Sequence, residues 1–159
     1  MKNATMLGYY AWNWGAGSHG PTDATVGVAF TGLVDVKKAV DQYTPGAAWC
    51  CPGLIGPDGK GFISIGGGNA AGGFSVDTLN AITQDMDYIV QSEQYSGIVF
   101  DVEICMGESA DLIAAFNTTI DTAKQAGLIV GITSSHSAPY QTDTPQIAVD
   151  IVKSWVVNP

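Results

Sequence analysis

The sequence predicts an α/β protein built on a parallel sheet, and three observations predict it. Short β-branched runs alternate with stretches of helical period, the runs are apolar on both faces, and most of them open into loops rich in Gly, Ser, Asn or Pro. At 159 residues and 46% hydrophobic content the chain fits a single domain over 1–159 with a real core.

The elements follow in order. "TMLGYYAW" (Thr5 to Trp12) is a first strand, closed by the loop residues of "NWGAGSHGPTD". "ATVGVAF" is a second, followed by a helix in "LVDVKKAVDQY" with Leu33, Val36, Val40 and Tyr43 at helical spacing; Pro45-Gly46 stops it. "GFISIGGG" is a third strand that runs into glycines, and "SVDTLNAITQDMDYIVQSE" reads as one helix capped by Ser75. "YSGIVFDVEI" (Tyr95 to Ile104) is the fourth strand. "SADLIAAFNTTIDTAKQAG" is a helix capped by Ser109 and ended by Gly127. "LIVGITSS" is the fifth strand, and "TPQIAVDIVKSWVV" a last helix with Thr144 as cap and Pro145 at its first position. The expectation is about five strands and four helices.

Charge narrows the function. Fifteen acidic against six basic residues give a net charge of −9, which argues against nucleic acid and against an anionic membrane surface as partners. No run approaches the ~20 apolar residues of a transmembrane helix, and "MKNATMLGYY" lacks the apolar core of a signal peptide. Two sequons, at Asn3 and Asn117, together with scarce lysine lean towards a secreted, extracellular protein. Cys50, Cys51 and Cys105 lack zinc-site spacing, so no metal is expected. A bridge from Cys50 or Cys51 to Cys105, or three free thiols, are both open.

In parallel α/β folds chemistry gathers at the carboxyl ends of the strands, and the unusual residues fall there. "GGGNAAGG" could cradle a phosphate, but it lacks the G-x-x-x-x-G-K-[ST] pattern, and Ala71 stands where G-x-G-x-x-G needs its third glycine. Glycines that let a ligand or another strand approach closely are the better reading. Asp101 and Glu103 are two residues apart, so on a strand both point to one side, with Cα atoms roughly 6.5 Å apart. Two such carboxyls in a poorly solvated place repel, and one keeps its proton as a ready general acid. The alternation Asp, Val, Glu, Ile is that of a strand with one polar face. Tyr9, Trp12 and Tyr140 bring aromatic faces suited to sugar rings, and His136 could orient a substrate.

With those residues in hand, the chain resembles the family 18 glycoside hydrolases, the chitinase and chitinase-like superfamily. "LGYYAWNW" is similar to the first barrel strand of that family and "VGVAF" to the second. "FISIGGG" is similar to its S-x-G-G motif, "GIVFDVE" to the end of its D-G-x-D-x-D-x-E motif, and "GITSSHSAPY" to its fifth strand. The resemblance runs from Met6 to about Tyr140. It implies a parallel (β/α) barrel of TIM type and retaining hydrolysis of β-1,4-linked N-acetylglucosamine polymers by a substrate-assisted route, without cofactor. Glu103 would protonate the glycosidic oxygen and Asp101 would orient the acetamido group, with Tyr9, Trp12, Gly67, Gly68, Asn69, His136 and Tyr140 as candidate substrate contacts. The earlier acidic positions of the motif are Ser96 and Val99 here, so the pKa and mobility of Asp101 are expected to differ from the family norm. A complete barrel takes ~250 residues, so the chain is expected to be a partial barrel. It would be a fragment, an open sheet put to another use, or a half completed by a protein partner or second copy that covers the open sheet edges. A catalytically inactive, glycan-binding or structural relative is the alternative function.

Overall fold

The computed structural model describes residues 8–11, 26–42, 61–134 and 141–157. Trp12, Cys50, Cys51, His136 and Tyr140 lie outside them, as does the side chain of Tyr9.

Five strands form one parallel sheet: β1 (Gly8–Ala11), β2 (Val26–Ala29), β3 (Gly61–Gly66), β4 (Tyr95–Val102) and β6 (Ile129–Ser134), in the spatial order β1-β2-β3-β4-β6. Spatial order follows chain order, as expected where each strand is joined to the next by a crossover. The helices are α1 (Val36–Gln42), α2 (Val76–Gln84), α3 (Met86–Gln91), α4 (Ser109–Gln125) and α5 (Pro145–Val157). The α/β class and the parallel sheet are therefore as the sequence predicts.

Strand alternation divides the apolar residues between two faces. One face, with Ile63, Ile65, Ile98, Phe100 and Val102, packs on Leu79, Ile82, Met86, Ile89, Leu112 and Phe116 of the helices and forms the main core. Phe74 lies between Phe100 and Phe116 within it, its ring centroid 6.5 Å from the first and 5.2 Å from the second at tilted angles, and Trp155 of α5 meets Phe116 edge-on at 6.0 Å. The other face carries a smaller cluster of Val28, Phe62 and Val99.

That second face is concave. β1 and β6 are the outer strands, yet the Tyr10 hydroxyl hydrogen-bonds Thr133. In a flat sheet their backbones would lie about 19 Å apart, four spacings of ~4.8 Å. A tyrosine and a threonine joined by one hydrogen bond span at most about 12 Å between Cα atoms. The sheet must therefore curl through roughly half a turn for that bond to form.

Several local expectations are corrected. The stretch read as one helix is two, α2 and α3, broken at Asp85, which has φ −95° and ψ 8°. Neither Pro nor Gly marks the break; α2 packs on α4 while α3 packs on α1, and Lys37 of α1 holds Asp85 by a 2.7 Å ion pair. Among the described residues, five helices stand where about four were expected. Ser75 caps α2 in a reciprocal box with Thr78, as expected, but α4 is capped at Glu108, with Ser109 already inside its first turn. Gly127 follows α4 with φ 84°, the left-handed stop the sequence predicts. The fourth strand ends at Val102 rather than Ile104. After Glu103 the chain starts β5 (Ile104–Cys105), which pairs in parallel with β7 (Gln141–Thr142) in a separate two-stranded ribbon.

Asn117 lies half-buried in the middle of α4. Thr119 of its sequon is fully buried and bonds the Leu79 and Ala115 carbonyls and the Thr83 hydroxyl. Packing between α2 and α4 thus accounts for that threonine. Among the described residues no helix is long and apolar enough to cross a membrane.

Candidate functional site

The carboxyl ends of β3, β4 and β6 set three residues side by side in register: Gly66, Asp101 and Thr133. Asp101 shares the concave face with Val99 and is only 5% exposed. Its Oδ1 accepts a hydrogen bond from Thr133 Oγ1 at 2.8 Å. Its Oδ2 is buried and has no hydrogen-bond partner among the described residues.

Burial is the main influence on this carboxyl and raises its pKa above the ordinary value, because the low-dielectric surroundings disfavour its charge. Side-chain hydrogen bonds with Thr133 and with the neighbouring Glu103 pull it part of the way back. Tyr10, 39% exposed, stands over the same spot. Burial holds its phenol above its ordinary pKa, the hydrogen bond with Thr133 acts the other way, and the charge of Asp101 pushes it up again. Its ring meets Phe30, just past β2, edge-on at 5.5 Å.

The glycine loop supplies the wall next to Asp101. Gly66 and Gly67 have φ of 107° and 132°, values that favour glycine. A Cβ on Gly66 would collide with the Asp101 carbonyl, and one on Gly67 would come within 3.1 Å of Gly32 Cα and 3.5 Å of Asp101 Oδ2. These glycines let β3 pass close to β4 and leave room at Oδ2. The loop is held from below: Thr31 N–H and Oγ1 both bond Ser64, and Gly66 N–H donates to the Leu33 carbonyl at 2.7 Å.

Glu103 is half-exposed at the break between β4 and β5. Its carbonyl accepts from Gln141 N–H at 3.2 Å, and the residues just beyond it are pinned on the other side, where Phe74 N–H donates to the Ile104 carbonyl and Met106 N–H to the Phe74 carbonyl. Its backbone is thus clamped between the segments that follow β3 and β6. The two carboxyls are neighbours in different environments, one buried and one reaching solvent.

Of the other candidates, Gly67 stands beside Asp101, while Gly68 and Asn69 are exposed on the loop. Asn69 Oδ1 accepts from Ala71 N–H at 2.8 Å, so one end of its amide shapes its own turn. Tyr9 belongs to β1 by its backbone. Tyr10 and Thr133 were not among the residues the sequence singles out. A lone hydroxyl in "LIVGITSS" carries no signal until the register places it next to Asp101.

Val99, at one of the motif's earlier acidic positions, is buried against Val28 and Phe62. Ser96, at the other, sits near the start of β4, half-buried. Cys105 is a buried free thiol whose pKa burial pushes up to about 12, and its two candidate partners, Cys50 and Cys51, lie outside the described residues. Among the described residues no three His, Cys, Asp or Glu side chains gather to hold a metal. An open groove of about 740 Å³ between α1 and α2, lined by Lys37, Lys38, Asp41 and Asp85, involves neither acid.

The fold and site therefore define a curved parallel α/β sheet with an acid pair at the carboxyl end of its fourth strand. No protein-family model, no curated protein and no solved structure matches the chain.

Proposed function

We propose that the chain is a chitinase-like glycoside hydrolase, or part of one, acting on β-1,4-linked N-acetylglucosamine polymers. The observation that carries this reading is the pairing of buried Asp101, with one oxygen tied and the other free, and half-exposed Glu103 beside the Gly66–Gly67 wall. In the reaction, Glu103 gives its proton to the glycosidic oxygen as that bond breaks. Asp101 Oδ2 accepts the acetamido N–H, so that the acetamido carbonyl oxygen is aimed at the anomeric carbon and displaces the leaving sugar. Water then opens the cyclic intermediate, with Glu103 taking back a proton. No cofactor takes part.

The proposed architecture is a partial TIM-type barrel. Five parallel strands that curl through about half a turn have the curvature of an eight-stranded barrel, where each strand interval turns the sheet by about 45°. The open edges would be covered by further strands, by a protein partner or by a second copy. We also propose a secreted, extracellular location, as chitin-type polymers require.

The test is release of sugar from chito-oligosaccharides by the intact protein. Glu103→Gln should abolish turnover and leave binding largely intact; a fully active variant, or an inactive parent, ends the enzyme reading. A glycan-binding, non-catalytic role is the second reading, favoured by Val99 occupying an acidic position of the motif. Calorimetric titration with the same oligomers separates the two, since binding without release supports the second.

A further inference from the structure

We propose that Thr133, backed by Tyr10 from the opposite edge of the sheet, is the positioning residue that fixes the Asp101 carboxyl, in place of an acid at position 99. Its catalytic consequence rests on the chitinase-like reading; its geometry does not.

Asp101 and Thr133 are direct partners in the β4–β6 register and share the concave face, so their side chains meet without strain. Thr133 Oγ1 gives its single proton to Oδ1 at 2.8 Å. With that proton committed, the contact with Tyr10 has to run from the phenol O–H to a lone pair of the threonine oxygen. The phenol keeps its proton, its pKa being held above the ordinary value by burial. A chain Tyr10 to Thr133 to Asp101 results, each donor polarised by the next acceptor.

Among the described residues no other hydroxyl or amide side chain hydrogen-bonds the Asp101 carboxyl. Beneath Asp101 on β4, Val99 is packed with Val28 and Phe62. β3 and the turn after it bring Gly66 and Gly67, and just beyond β4 stands Glu103, whose carboxyl also hydrogen-bonds Asp101. Tying Oδ1 also sets the direction of Oδ2, since both oxygens turn about one Cβ–Cγ bond. Oδ2 is left on the side of Gly67, 3.5 Å from where a Cβ there would lie, as the acceptor for a ligand N–H.

The experiment follows the Asp101 side-chain carboxyl by carbon NMR through a pH titration of the full chain without ligand. Thr133→Val removes the donor and keeps the shape, Thr133→Ser keeps the donor, and Tyr10→Phe removes only the outer link. The titration midpoint should move up in Thr133→Val, stay at the parent value in Thr133→Ser, and move up by less in Tyr10→Phe. A Thr133→Val midpoint equal to the parent's overturns the proposal. With chito-oligosaccharide, Thr133→Val should lower kcat on the order of tenfold, the loss expected for one hydrogen bond to a charged group, with KM little changed. Its acidic limb should move up with the NMR midpoint, and an unchanged kcat overturns the catalytic role. A parent that hydrolyses nothing ends the glycosidase reading, while the ligand-free titration still decides the clamp.

Discussion

Thr31 and Ser64 hold each other twice: the Thr31 N–H donates to Ser64 Oγ at 3.1 Å, and Thr31 Oγ1 donates to the Ser64 carbonyl at 2.7 Å. Both residues are buried, and the pair buckles the end of β2 to β3 just before the glycine wall. Ser64→Ala leaves the Thr31 N–H without its partner in an apolar place. The expected cost is about 1–3 kcal/mol in a urea unfolding experiment, because a buried orphan donor loses its full desolvation penalty. A loss below ~0.5 kcal/mol, the range of ordinary surface changes, would show that the pair is not a fastening.

Gly67→Ala should damage the site more than the fold. The backbone at φ 132° is strained for any side chain, and the new Cβ enters the space at Asp101 Oδ2. We expect a loss of about 1–3 kcal/mol in stability and loss of oligosaccharide binding under conditions where the variant is still folded. Retained binding by calorimetry would move the ligand away from Oδ2.

Asp101 is expected to cost the fold stability at neutral pH. Its folded pKa is raised above the ordinary 3.8, so the folded state holds this proton more tightly than the unfolded chain. The carboxyl's favourable contribution is complete below 3.8 and is lost as pH rises through the folded value. Asp101→Asn, which mimics the protonated form, should therefore unfold at higher temperature than the parent at pH ~7, with the difference vanishing on acidification below the ordinary carboxyl range. A less stable variant at neutral pH would mean that Thr133 and Glu103 outweigh burial.

Cys105 should be chemically silent in the folded protein. Its thiol is fully buried and its pKa is pushed up to about 12, so almost no thiolate exists near neutrality. In a chain carrying Cys50→Ser and Cys51→Ser, a maleimide should label it only after denaturant is added. Rapid labelling of the native chain would show that the β5 ribbon opens.

Much of the sheet was legible because its strands are short β-branched runs between unmistakable helices, and because Gly127 and Ser75 carry strong local end signals. The same-side placement of Asp101 and Glu103 was also readable, since the two-residue period of a strand outlasts the break at Glu103. What stayed hidden depends on neighbours remote in sequence. The break at Asp85 comes from two helices packing on different partners, β5 and β7 are too short to show a period, and nothing in "GYYAW" says which tyrosine reaches Thr133.

The ribbon that clamps Glu103 is stitched from three loops: Phe74 bridges Cys105, and β5 pairs with β7. Asp101 belongs to the sheet itself, whereas the backbone of Glu103 is held by this small outer seam. Phe74 and Cys105 of the seam are themselves buried in the main core with Phe100 and Val102, so the spacing of the two acids is kept by one shared interior rather than by the rim alone.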